Sequence, residues 1–181
     1  MIEYLESVLS FDFEKTLAEE NPLFVIRSIL GFSLKSATCL FPDKSCSTCG
    51  LKYNCHYSKL FESYANPELI KVFGTNKLPH PYMVQQCKKS DKNLTVKLIL
   101  LGDIKQFADT IIQALKNTKT FGKNKNKYVL TLVSKEEKKW FFDSSNLIAS
   151  KHVLIRFLTP TRMLLNGKLI SEINEEVLFN S

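Results

Sequence analysis

Residues 93–115, NLTVKLILLGDIKQFADTIIQAL, change their hydrophobic period in the middle, and no other stretch limits the fold as strongly. Leu94, Val96, Leu98 and Leu100 alternate with their neighbours, which predicts a strand with one buried face, and Gly102 closes it. Ile104, Phe107, Ile111 and Leu115 then recur at three and four residues, the spacing of one helical face. Asp103 and Gln106 stand at capping-box distance at the start of that stripe. After the helix, Tyr128, Leu130 and Leu132 alternate with Val129, Thr131 and Val133, an apolar run that predicts a strand buried on both faces. The unit is therefore strand, helix, strand, so its helix has to return the chain across a sheet.

The preceding half supplies a matching unit. IEYLESVLSFDF at 2–13 carries the β-branched and aromatic content of a strand, although its pattern also permits a helix. Asn21 and Pro22 form a cap and first-turn pair, and Leu23, Ile26, Leu30 and Leu34 predict a helix over 22–38. HPYMVQQC, with Pro81 at its start, reads as an edge strand. The order strand, helix, strand, strand, helix, strand is that of an α+β, ferredoxin-like (βαββαβ, RRM-like) domain. It occupies residues 1–135, with a cysteine-rich insertion at 39–56. KEEKK at 135–139 mixes signs and reads as a solvated turn that opens a linker over 136–150.

The insertion concentrates thiols: Cys39, Cys46, Cys49 and Cys55 lie in CLFPDKSCSTCGLKYNC, and the chain contains one more cysteine, Cys87. A disulfide knot, a metal clasp and unrelated buried thiols compete for this pattern. With 44% hydrophobic and 24% charged residues over 181 positions, the chain has ample core material and needs no staple to fold. Its longest apolar runs, such as LILL at 98–101, fall far short of the roughly 20 residues that span a bilayer. The N-terminus is too acidic for a signal peptide, and a cytoplasmic chain without a membrane partner is expected. A reducing compartment and an odd number of thiols argue against disulfides. Thiolates spaced C-x₆-C-x₂-C-x₅-C are able to meet at one tetrahedral ion, the x₂ pair forming a knuckle and Cys39 and Cys55 the outer ligands. Zinc is the first expectation, unmetallated thiols the second and an iron–sulfur cluster the third. His56 is an alternative to Cys55, and Cys87 is expected as a buried strand thiol.

Charge is uneven. The first twenty residues hold six acids and one lysine, yet the chain carries a net charge of +7. The excess is densest in KNTKTFGKNKNK at 116–127, which has five lysines and no acid. Lys119, Lys123, Lys125 and Lys127 are the candidate phosphate contacts, against the alternative of a plain solvated loop.

Several motifs now fall in one order: VIRSILGFSLKSATC, CSTCGLKYNCHYSKLFES, PHPYMV, a strand–glycine–helix, and FLTPTRMLLNGKLI. Together they resemble the CRISPR precursor-RNA processing endoribonuclease family of the RAMP superfamily, over most of residues 24–172. The resemblance implies that CHYSKLF matches a family CPY…LF pattern, and that Thr159, Pro160 and Arg162 open a second ferredoxin-like domain at 151–181. Arg162 joins the candidate RNA contacts. CRISPR repeat RNA is the implied partner, with other CRISPR effector proteins in the alternative case of a catalytically silent assembly subunit. The second domain of the family would continue beyond this chain. The strand HVLIRFLTPTRMLL would then expose an apolar edge, which predicts self-association.

Two departures bear on chemistry. The loop before the last strand is poorer in glycine than the family's, holding only Gly122, which favours side-chain charge over backbone approach to phosphate. Many relatives carry a histidine directly after the central helix glycine, as general acid or base for 2′-hydroxyl attack on the adjacent phosphate. Phe32 stands there in this chain. Each proton-transfer group typically contributes ~10²-fold to 10⁴-fold, and phenylalanine supplies none of it. Lys35, His56, His80 and His152 are the remaining titratable candidates. None is assigned as catalytic, and inefficient cleavage is expected.

Overall fold

The computed structural model describes residues 1–17, 22–121 and 125–141, with two short strand pieces at 164–165 and 168–169. The chain divides into two compact units, Met1–Phe142 and Asp143–Ser181. In the first, β1 (Ile2–Phe13) leads to α1 (Pro22–Thr38), a 3₁₀ turn (Cys46–Thr48), a π-helix (Ser58–Glu62) and α2 (Pro67–Phe73). The hairpin β2 (Tyr82–Lys89) and β3 (Asn93–Leu101) follows, then a second 3₁₀ turn (Gly102–Phe107), α3 (Ala108–Asn117), the two-residue β4 (Thr120–Phe121) and β5 (Asn126–Trp140). In the second unit, β6 (Leu164–Leu165) pairs antiparallel with β7 (Lys168–Leu169).

The first unit is α+β, with an open antiparallel sheet in the order β2-β3-β1-β5-β4. This order is compatible with the expected split arrangement. Strand period decides which face is covered: Leu5, Leu9, Phe11 and Phe13 of β1 and Leu94, Val96, Leu98 and Leu100 of β3 are all buried. They join Val25, Ile26, Ile29, Leu30 and Leu34 of α1 and Ile111, Ile112 and Leu115 of α3 in one core. Burying a side chain of this size contributes about 1.5–3 kcal/mol, so this interlayer core outweighs any single polar contact in the unit.

Four expectations change. α3 begins at Ala108 rather than at Asp103: Gly102 takes φ +58°, and the six residues after Leu101 wind as a 3₁₀ turn without a side-chain cap. The apolar stripe itself survives, with Ile104, Ile111 and Leu115 buried. β5 is not buried on both faces, since Val129 is 67% and Val133 61% exposed. The pairing of β1 with β5 shifts between Val8 and Leu9, leaving Val133 as the extra residue of a bulge. KEEKK is not a turn but the continuation of β5, held by ion pairs such as Lys135–Asp109 at 2.6 Å and Lys139–Glu3 at 3.0 Å. Cys87 is exposed rather than buried, because β2 is an edge strand whose register against β3 shifts between Gln86 and Lys88. Asn21, the expected cap of α1, lies outside the described residues, as does most of the strand expected at 152–165.

Candidate functional site

At the end of the sheet where β1 finishes and β5 begins, the chain forms a pocket of about 700 Å³. Lys116, Lys119 and Lys127 line it together with the acids Asp12 and Glu14 and the apolar floor of Phe13, Tyr128 and Leu130. Backbone pairing sets their positions: Tyr128 N–H donates to the Lys119 carbonyl at 3.1 Å, and Glu14 N–H donates to the Lys127 carbonyl at 2.9 Å. The buried Tyr128 hydroxyl donates to the Leu115 carbonyl at 2.7 Å and ties the end of α3 to β5. Burial pushes the Tyr128 phenol up to about 12, so it remains a neutral donor there. Lys127 lies 3.9 Å from Glu14, a loose pair between exposed groups, whereas Lys116 and Lys119 have no carboxylate partner among the described residues. The structure thus gathers Lys119 and Lys127 of the expected set and adds Lys116. Lys125 is exposed at a positive φ of 47° and does not line the pocket. Lys123 and Arg162 lie outside the described residues.

The sheet face opposite the helices carries mixed chemistry. Glu6 accepts from Lys138 at 2.8 Å and faces Lys97 at 3.2 Å. The Lys138 hydrogen bond is the main reason its carboxyl lies below the usual carboxylate range. The three charges sum to +1 in the middle of the face. Next to them, Ile2, Tyr4, Met83, Ile99, Leu101 and Trp140 line an apolar hollow of about 360 Å³.

The cysteine loop starts where α1 ends. Cys39 N–H donates to the Lys35 carbonyl at 2.9 Å, which fixes Cys39 at the helix terminus. Ser45 caps the turn Cys46–Thr48, and Cys49 N–H closes it on the Cys46 carbonyl at 3.3 Å. Cys55 N–H reaches the Leu51 carbonyl at 2.8 Å. Cys39, Cys49, Cys55 and His56 line one pocket of about 300 Å³. Burial, followed by the Glu62 carboxylate, pushes the Cys46 thiol up, with smaller contributions from Cys39 and Cys55. The four thiols therefore surround one region and are all free and half-buried. Among the described residues, however, no three His, Cys, Asp or Glu side chains converge closely enough to hold a metal ion. His56 stacks on Phe107 at 3.9 Å between centroids, and its buried Nδ1 has no hydrogen-bond partner among the described residues.

A further cluster sits on the outer side of α1. Arg27 lies over the rings of Phe61 at 5.9 Å and Tyr82 at 5.5 Å, and Lys35 over Tyr57 at 5.6 Å. Gly31 stands between them because a Cβ there would come 3.3 Å from Phe61 Cε1. Phe32, at the position of the expected histidine, is 66% exposed. His80 reaches this cluster from the approach to β2, with Nδ1 3.1 Å from Ser63 Oγ. Burial first, and then the Arg27 charge, lower its pKa. Sequence reasoning did not select Arg27 or Tyr82. The signal available was a lone arginine at spacing four from Gly31. His152 lies outside the described residues.

No helix among the described residues is long and apolar enough to cross a membrane. No curated protein and no solved structure matches the chain. The family model described as AF_1859_N, N-terminal domain, matches residues 14–155, from the end of β1 past the end of β5. The match covers well over half of the sequence, and the chain belongs to the AF_1859_N N-terminal domain family.

Proposed function

We propose that the first unit is a ferredoxin-like RNA-binding domain of the CRISPR precursor-RNA processing type, and that its ligand is CRISPR repeat RNA. The observation that carries this reading is the pocket at the sheet end, where Lys116, Lys119 and Lys127 line one hollow together with Phe13 and Tyr128 and outnumber the carboxylates of Asp12 and Glu14. Three ammonium groups within one hollow suit consecutive phosphates, because neutralising a phosphate releases its counterions. Lys138, opposite Tyr4 in the β1–β5 pairing, and Lys97 place two further cations on the open sheet face, both ion-paired with Glu6, and Lys123, Lys125 and Arg162 complete the proposed contacts. Purified chain should bind labelled repeat RNA with an affinity that weakens steeply as salt rises. Absence of binding, or binding indifferent to salt, would refute the reading.

In the same reading, Cys39, Cys46, Cys49 and Cys55 hold a zinc ion, with an iron–sulfur cluster as the other candidate. Support comes from the four thiols surrounding one region and from the orphaned His56 Nδ1 in the pocket wall. Closure onto an ion would need the loop to draw the thiols together. Cleavage by metal-independent 2′-hydroxyl attack is inefficient in this proposal, since Phe32 supplies no proton-transfer group on α1. A specific observation favours the assembly reading as well: Leu40, Phe41 and Leu51 are exposed on the cysteine loop by 74%, 43% and 40%. Apolar side chains grouped on a loop suit contact with another CRISPR protein. A chain that joins such a complex but binds no repeat RNA would select that alternative.

A further inference from the structure

Arg27 is the only arginine among the described residues, and its surroundings are unusual for a surface cation. No carboxylate pairs with it among those residues, and Glu62 of the neighbouring π-helix is engaged by Lys77 at 3.0 Å. Its guanidinium carbon instead lies 5.9 Å from the centre of the Phe61 ring and 5.5 Å from that of Tyr82. Cation–π contact of this kind keeps the fork beside the two rings, and no carboxylate competes for its N–H groups among the described residues. His80 flanks the same Tyr82 ring, with centroids 6.0 Å apart, so the imidazole and the guanidinium share one aromatic neighbour and sense each other's charge.

The imidazole is also held in place. Ser63 takes a left-handed φ of 49° at the end of the π-helix, and its Oγ donates to the Lys59 carbonyl at 3.3 Å. Its Oγ also lies 3.1 Å from His80 Nδ1, the donor depending on the tautomer, and the Leu60 backbone makes a further hydrogen bond with the ring. The Tyr82 hydroxyl, on a residue only 6% exposed, is buried and has no hydrogen-bond partner among the described residues. Charged and titratable groups face His80 from each side: Arg27 from α1 and Lys77 oppose its protonation, whereas Glu62 favours it, and Tyr82 lies beneath.

We propose that Arg27 and His80 form a second phosphate site, which takes one phosphodiester group of RNA on the outer side of α1. An oxyanion there gives the guanidinium fork the anionic partner it does not have among the described residues and adds to Glu62 in favouring a protonated His80. This inference rests on the RNA reading above. It adds a contact separate from the lysine pocket, and its affinity depends on pH. Because the bound phosphate favours the charged imidazole, binding tightens as pH falls through the His80 range and loosens as pH rises above it.

The test is fluorescence anisotropy with labelled repeat RNA at several salt concentrations and pH values, using the whole chain and the variants Arg27→Gln, Arg27→Lys and His80→Asn. Arg27→Gln should weaken binding about tenfold, as expected for loss of charge-assisted hydrogen bonds. It should also flatten the log–log salt slope by about 0.7, the value for one phosphate contact on a single strand. Arg27→Lys should keep the slope yet still lose affinity, because an ammonium lacks the fork. His80→Asn should remove the pH dependence near neutrality. Thermal melts on each variant separate these effects from lost packing, since Arg27→Lys retains a cation over the rings. Wild-type RNA binding with unchanged affinity in Arg27→Gln, or full affinity in Arg27→Lys, would overturn this inference and leave the RNA reading standing. A parallel NMR titration follows the His80 ring with a dinucleoside monophosphate. If the chain binds no repeat RNA but that probe shifts the ring in wild type and not in Arg27→Gln, the RNA reading falls and the phosphate site stands. With neither response, both fall.

Discussion

Replacing Lys116, Lys119 and Lys127 together by alanine removes the cations of the sheet-end pocket while leaving its floor of Phe13, Tyr128 and Leu130 in place. The expected effect follows from counterion release, at about 0.7 of log–log salt slope for each single-strand phosphate neutralised. Lys116 and Lys119 have no acidic partner among the described residues, and two such contacts give a change of about 1.4 in slope. Lys127 is partly offset by Glu14 at 3.9 Å, so its full contribution, raising the change to about 2.1, is an upper bound. Between about 50 and 200 mM salt, the wild-type chain should therefore lose about 7-fold to 18-fold more affinity than the variant does. All three side chains are exposed, and removal of exposed lysines normally changes stability by less than about 0.5 kcal/mol, so the melting temperature serves as the folding control. The assay is anisotropy of labelled repeat RNA at four salt concentrations. A variant with lower affinity but the wild-type slope would refute the reasoning, since loss of phosphate contacts must reduce the slope.

Four further outcomes are expected. Freshly prepared, unchelated protein should contain close to one zinc per chain by metal analysis, and Cys46→Ser or Cys49→Ser should release it; absence of both zinc and iron would reject the clasp. Stability should fall as pH rises from the ordinary phenol range towards about 12, because the unfolded chain loses the Tyr128 proton while the folded one keeps it, and denaturant titrations should show this slope reduced in Tyr128→Phe. At the acid end, the depressed Glu6 carboxyl stabilises the fold above the ordinary carboxylate range and ceases to do so as pH falls through its lowered folded value; Glu6→Gln should flatten that part of the acid titration. In single-turnover assays with labelled repeat RNA and no added metal, the unmodified chain should cleave slowly if at all, and fast site-specific cleavage would contradict the weight placed on Phe32.

Elements whose identity depends on a one-dimensional period were legible before any coordinates. The alternation from Leu94 to Leu100 and the helical spacing of Leu23, Ile26, Leu30 and Leu34 both place side chains against a core that accepts only one face. The failures have two physical causes. Val133 resembles a buried strand residue in composition, but like Val129 and Thr131 it lies on the face of β5 that no described helix covers, and composition alone does not say whether a second face is covered. Cys87 falls at the Gln86/Lys88 register shift on an edge strand. A bulge adds one residue without a distinctive residue type, so nothing in the sequence marked that position. KEEKK misleads differently. Its lysines and glutamates signal a solvated turn, yet in β5 they find partners on β1 and α3, so the charges stabilise a strand instead of ending one.

The candidate sites divide along a similar line. A lysine-rich loop is visible as composition, but only the pairing of Tyr128 with Lys119 and of Glu14 with Lys127 determines that Lys116, rather than Lys125, shares the hollow with Lys119 and Lys127. The Arg27 and His80 cluster had no such local mark, because its members come from α1, the π-helix and the approach to β2. What joins them is packing: Gly31 admits Phe61 to the helix surface at a distance that any side chain would crowd, and Phe61 with Tyr82 then forms the surface on which Arg27 lies. The glycine that sequence comparison would treat as a motif element thus has a steric role. Replacing Phe32 by histidine would therefore add an imidazole on an exposed helix position, whereas His80 already flanks the Tyr82 ring that packs against Phe61.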